Sequence, residues 1–462
     1  MSSLVIRTVG ICFLVSSLLV LAQVLFKDQV VLSASQLEPD TVPFTKLVGD
    51  GLTDNTQQLQ ALADAGGSIR LPKGTFLVTK PIEIHLNDVG YTSIHGDGVA
   101  QIVMAGAGPA FRFIGTHFRS ADPAGFDKQV WQRQRMPLVD GIGIQGAHQQ
   151  ACGVEAVGTM QMTISRCHMR GLLHGIHLVK NNRNVIISEC HIYENKGVGI
   201  FYDDVNLHQS NVTNCHVSYN EQGRLVSRKG NVRNIHIAGC DFESNMAPET
   251  PPAANILIDC TGSSAGTGEV AVTGCTIQHN HNSPESANIR IIGNSSAQNY
   301  EGHVTIAGNV ISDVMTNIHL KQCRGVVVTG NTIWKGFTHN LLVEDCNNII
   351  VGPNNFDRNP RYNSGAGKNS RNSVLFRGCE DCTLTALHVS HIHNEPAGMI
   401  LENCKRMNVT NCTILDCDNA GLLLKNVTQS QVGNCLIRDD RENTKSVSIK
   451  IMGGSDNQIQ DH

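Results

Sequence analysis

From Gly171 onward the chain repeats a short alternation of apolar and polar residues every 23 to 25 positions, stretched in places by insertions. One phrase, Gly175-Ile176-His177-Leu178, returns as Gly199-Ile200-Phe201-Tyr202, Asn317-Ile318-His319-Leu320 and Gly421-Leu422-Leu423-Leu424. A second phrase follows some ten residues later, as in Val185-Ile186-Ile187-Ser188-Glu189-Cys190, Ile235-His236-Ile237-Ala238-Gly239-Cys240 and Val409-Thr410-Asn411-Cys412. Period-two alternation in runs this short predicts strands, and a fixed period of this length predicts a solenoid. Two or three strands per turn leave no room for a helix. The expected fold is all-β: a single-stranded parallel β-helix of about a dozen rungs over 141–462, each rung covering the apolar edge of the one below.

The repeat register gives individual residues a job. Cys167, Cys190, Cys215, Cys240 and Cys275 share one position, Asn309 and Asn331 then take it, and Cys412 and Cys435 resume it. Cys323, Cys346, Cys379 and Cys404, with Cys260, share another. Side chains stacked on parallel rungs have parallel Cβ vectors about 5 Å apart, which is poor disulfide geometry. These cysteines are therefore expected to be reduced, buried packing residues. Cys379-Glu380-Asp381-Cys382 has the spacing of a metal or redox pair, but Cys379 is already a ladder member. Asn195, Asn220, Asn245 and Asn280 form an expected amide ladder at a turn. The outward position after the first phrase reads Asp203, Arg228, Asp259, then Ile292, then Lys321, Glu344, Arg377, Glu402, Lys425. Alternating signs one rung apart predict a ladder of surface ion pairs, with a substrate groove as the alternative. Asp204, between Lys180 and Lys229 in its own column, fits the same pattern.

Ahead of the repeat lie two different segments. Residues 1–34 combine Arg7, an apolar run from Val9 to Leu21 and small residues after it, the layout of an export signal. Ala22 and Ala34 end the two candidate cleavage sites; reading the run through to Phe26 makes it an uncleaved anchor instead. Residues 35–140 read as an N-terminal cap and first rungs. Gly49-Asp50-Gly51-Leu52-Thr53-Asp54-Asn55-Thr56 leads into a helical pattern through Ala65, with Asp54 or Thr53 as its cap. Gly66-Gly67-Ser68-Ile69-Arg70-Leu71-Pro72-Lys73-Gly74-Thr75-Phe76 and Gly96-Asp97-Gly98 follow as short strands with glycine turns. These three pieces, in this order, resemble the pectate-lyase-like domain of the rhamnogalacturonase/epimerase-type branch of right-handed β-helix proteins. The resemblance implies a right-handed solenoid, an N-terminal cap with a short α-helix, and action on acidic polysaccharides. The family's catalytic signatures do not carry over. Asp203-Asp204 has the look of one element of the polygalacturonase pattern, but His174-Gly175-Ile176-His177 precedes it rather than following.

Composition changes the picture in a few places. The 462 residues carry a net charge of −4, which argues against nucleic-acid binding, and 40% hydrophobic residues suffice for a large core. With 2 Trp and 6 Tyr the chain is poor in sugar-stacking side chains, which favours an enzyme over a passive carbohydrate-binding or structural surface protein. The residue after each ladder cysteine reads His168, His191, His216, Asp241 on four successive rungs. Stacked neutral imidazoles ending in a carboxylate can relay a proton or share a metal, so these four, with Asp203 and Asp204, are the catalytic candidates. Tyr193, Arg170, Lys196 and Arg224 are the substrate-binding candidates. A divalent cation fits the chemistry without any residue set naming it. The expectation is a secreted, periplasmic or surface monomer that cleaves an acidic polysaccharide, by β-elimination or hydrolysis, or epimerises it. Contact with a membrane is expected only through the N-terminal segment.

Overall fold

The computed structural model describes residues 46–119, 127–243, 254–279, 281–294 and 301–460. The leader, Asn245 and Asn280 lie outside the described residues. From Lys46 on, the chain is one right-handed parallel β-solenoid of about 15 turns, and all the strand pairings are parallel. Each turn has three stretches, here called the leading, middle and trailing faces. On one turn they are the start of Ile176–Ser188, its end, and His191–Tyr193. Ile176, Leu178, Val185, Ile187, Cys190 and Ile192 from that turn point inward and are buried, and their counterparts on other rungs form one continuous core. Successive rungs stack in register because a slip of one residue would turn every inward side chain out to solvent.

A short helix lies beside the first described strands. The helix Thr56–Ala65 buries Leu59 and Ala63. The N-cap is Asn55 rather than the expected Asp54 or Thr53, and Asp54, one place before it, accepts the Thr56 backbone N–H at 2.9 Å. Buried Asn55 is pinned to both the Val48 N–H and carbonyl. Gln60 lends its amide to the edge of strand Ile82–His85, exchanging hydrogen bonds with the Glu83 N–H and carbonyl at 2.9 Å each. A helix side chain thereby satisfies backbone groups that a solenoid end would otherwise leave bare.

The ladders are present and in register. All 15 described cysteines are buried and unpaired. Their thiols donate to backbone carbonyls of their own or the preceding rung, as Cys190 does to Ile164 and Ser188. Cys379 and Cys382 do the same, to Val343 and Glu380, rather than facing each other across a metal. Cys260 departs from the expectation. Glu301, not a cysteine, is the in-register neighbour of Cys323, while Cys260 accepts the Thr267 N–H. Asn195 donates to Asn220 at 2.7 Å. Two further amide ladders run Asn309–Asn331–Asn354 and Asn255–Asn288–Asn317–Asn340, each link between 2.6 and 2.9 Å. The charged column pairs in register from Asp203 through Lys425, and Arg377 bridges Glu344 and Glu402, with Lys425 on Glu402 at 2.7 Å.

Candidate functional site

The histidine column lies where the register placed it, on the trailing face. His168 pairs with His191, His191 with His216, and His216 with Asp241. The contacts are uneven. His168 Nε2 meets the Tyr193 hydroxyl at 2.7 Å, and burial together with His191 lowers the His168 pKa. His191 and His216 are exposed rings 5.2 Å apart, and His216 Nδ1 stands 3.8 Å from Asp241. Beside His168 is an open depression of about 310 Å³, floored by Gly98, Ala100, Gly141 and Gly143 and flanked by Arg166. Among the described residues no group of three or more His, Cys, Asp or Glu is arranged to hold a metal ion.

Of the proposed binding residues, Tyr193 alone joins this site. Arg170 is tied to Glu194 on the next rung, and Lys196 is exposed. Arg224 is a correction: it is fully buried, donating to the Asn220 and Glu243 carbonyls. Its place at the corner before the leading strand faces inward. The preceding rungs put glycine there, Gly175 and Gly199, because a Cβ would come within 2.7 and 2.8 Å of the next rung's carbonyl. Burial lowers the Arg224 pKa to about 9. It binds no substrate from there. Asp204 is exposed at a left-handed corner, φ 45°, between Lys180 and Lys229.

A second constellation, on the leading face, includes Asp203 and otherwise went unassigned. The outward column there runs Glu83, Arg112, Glu155, His177, Phe201 on successive rungs. Arg112 bridges Glu83 at 2.8 Å and Glu155 at 2.6 Å. His177 Nδ1 faces Glu155 at 3.2 Å and its Nε2 faces Asp203 at 3.1 Å. Both ring nitrogens thus meet carboxylates, and the imidazole sits between the two acids. Burial disfavours charge on His177, but the two acids overcome it and raise its pKa. Burial pushes Glu155 the other way, and His177 and Arg112 hold it below the usual carboxylate range. Phe201 stacks on the His177 ring, with 5.4 Å between centroids and 9° between planes. His174 packs on both, accepts the Val198 N–H at 3.1 Å, and is held neutral by burial with a pKa of about 4. Side-chain exposure separates the roles. Glu155 and His177 are 14% and 16% exposed, Asp203 44%, so Asp203 is the member a ligand reaches. The signal for this site was in the chain: His177 is a polar residue at the outward place of an otherwise apolar phrase, one rung before Asp203.

The family model described as a right-handed beta helix region matches residues 140–242 and 362–461. The chain is a right-handed parallel β-helix protein. Among solved structures it resembles the tailspike protein of E. coli bacteriophage HK620, determined in complex with a pentasaccharide. That match has 13% identity and a TM-score of 0.50, and it covers 90% of this chain and 78% of that one. It also resembles the A-module of the Azotobacter vinelandii mannuronan C-5 epimerase AlgE4, at 12% identity and a TM-score of 0.42 over 91% and 96% of the two chains. The tailspike likeness speaks to the fold alone, and the weaker epimerase likeness carries no argument. No curated protein matches the chain in sequence.

Proposed function

We propose that this chain is an exported, polysaccharide-active β-helix enzyme that cleaves or epimerises an acidic polysaccharide at Glu155, His177 and Asp203. The observation that carries the reading is one imidazole held between two carboxylates, with only one of the acids open to solvent. Asp203 meets the sugar as general acid/base. His177 shares a proton with it, and Glu155, clamped by Arg112, keeps the ring oriented. That arrangement serves either chemistry. In hydrolysis Asp203 activates water or protonates the leaving oxygen; in elimination or epimerisation it takes the proton next to the uronate carboxylate. A polysaccharide ligand is supported by the solenoid's length, which matches an extended chain, and by the pentasaccharide bound to the similar tailspike. Export rests on the leader at residues 1–34, and no helix among the described residues is long and apolar enough to cross a membrane.

A second reading is favoured by the 2.7 Å contact of His168 with Tyr193 beside the open depression. There a neutral His168 is the base and Tyr193 the acid, with His191, His216 and Asp241 as the outer column. Purified protein on a panel of uronate and neutral polysaccharides, read by absorbance at about 232 nm (unsaturated product) and by reducing ends, tests both. Loss of turnover in His177→Gln with His168→Gln active supports the leading face, and the reverse supports the trailing face. No turnover on any polymer sinks the enzymatic reading and leaves a carbohydrate-binding surface.

A further inference from the structure

Four and five rungs beyond His177, at Arg290 and His319, the same outward column turns polar again. Between them Phe201, Val226 and Leu257 are apolar and buried, then come Arg290 and His319, and then Leu342, Leu375 and Ile400. Arg290 Nε donates to His319 Nδ1 at 3.1 Å, so the His319 proton sits on Nε2, facing Glu344 at 3.0 Å. Around this pair the charges are Arg290, Lys321, Arg371 and Arg377 against Glu285, Glu344, Glu395 and Glu402. Burial pushes the Glu395 carboxyl up, which weakens its share of the negative charge. The first station is more acidic, with Glu83, Glu155 and Asp203 against Arg112 and Arg228. An anionic polymer is repelled at the first station unless something else holds it.

Two groups at the second station have donors to spare. The exposed Arg371 guanidinium has one ionic neighbour, Glu395 at 3.6 Å, too far for a hydrogen bond. His339, buried enough that its pKa falls to about 4, has a buried Nδ1 with no partner. Its charged neighbours are His319, Glu344, Arg377 and Arg371. We propose that Arg371 and His339, backed by Arg290 and His319, bind a carboxylate of the same acidic polysaccharide whose reacting residue lies at Asp203. This rests on the reading of the leading face given above. Five rungs span about 24 Å, so the ligand must be several sugar residues long. Because the intervening outward column is buried, that chain lies over the adjoining one. There Asp203, Arg228, Asp259, Ile292 and Lys321 remain half-exposed.

The test is calorimetric binding of the full chain to uronate trimers and octamers of defined length, galacturonate and mannuronate, with a neutral glucan octamer as control. The octamer of one uronate is expected to bind at least tenfold more tightly than its trimer. In Arg371→Ala that ratio should fall toward one, His339→Gln should lower it, and Arg371→Lys should restore part of it. Arg371 is exposed, so melting of the variant should be unchanged and reports a folding defect if it is not. Equal binding of trimer and octamer, an octamer affinity indifferent to Arg371→Ala, or a neutral octamer bound as tightly each overturns the inference. An Arg371-dependent octamer that is never turned over keeps the second station and removes the catalytic reading at His177. Binding of neither uronate removes both.

Discussion

His177 is the residue on which the most depends, and its ionisation has a definite sign. Its folded pKa is raised, so the stabilisation by Glu155 and Asp203 is full below the unfolded value of 6.5 and is lost as pH rises through the folded value. Glu155, depressed by His177 and Arg112, acts oppositely, its contribution lost as pH falls through the folded value. The advantage of wild type over His177→Gln, read from urea midpoints, should therefore be largest near pH 6 and shrink toward pH 9. An advantage that grows with pH would mean the ring is neutral in the native state. His174 has the reverse linkage. Its pKa of about 4 means its buried neutral ring loses stability as pH falls below 6.5, so the His174→Gln variant should tolerate acid better than wild type. For turnover, Asp203→Asn should cost about 10²- to 10⁴-fold in kcat, the usual worth of a general acid/base. An unimpaired Asp203→Asn enzyme removes Asp203 from the chemistry.

At the scale of elements, the ladders hold the rungs in register. Glu402 accepts from Arg377 and Lys425 and lies seven rungs from Asp203 along the charged column, so Glu402→Lys tests the ladder away from the catalytic candidates, while sharing Arg377 with the second station. It places three positive charges on successive rungs. We expect a loss of about 1 kcal/mol in stability, discounted for the exposure of the pairs, with turnover unchanged. The inward amides matter more. Asn317→Ala leaves the Asn288 Nδ2 short of one acceptor and the Asn340 Oδ1 short of a donor, both buried. Such losses cost about 1–3 kcal/mol, and a melting temperature unchanged by Asn317→Ala would show the ladder to be incidental.

The whole solenoid has one core without a break, and the cysteines report on it. All 15 described thiols are buried, and burial or a stacked neighbour raises most of their pKa values, Cys215 and Cys240 to about 12. A thiol reagent should leave the thiols with raised pKa unlabelled in the native protein and label all of them after unfolding in denaturant; Cys435, which its stacked neighbour Cys412 lowers to about 7, should be the first to react. Native labelling in the stretch 167–275 would show rungs opening singly. A disulfide between Cys167 and Cys190 would overturn the register itself.

Much of this molecule was legible along the chain, for a physical reason. In a solenoid each residue contacts the one a single repeat away, so spatial neighbours are written at a fixed sequence interval. The cysteine ladder, the alternating charges from Asp203 to Lys425 and the His168–His191–His216–Asp241 column could all be read that way. The helix Thr56–Ala65 is local and was equally plain, although its N-cap is Asn55 and not Asp54 or Thr53. What only the tertiary structure decided is how each turn bends. Arg224 reads as an outward residue next to a strand, yet the corner at Gly223 turns it into the core. The same corners bring His174 against His177 and Phe201. They also set Arg371, from a long insertion, beside His339 of the preceding rung. Periodicity identifies which residues stack; the backbone angles at the turns decide which of them share a site.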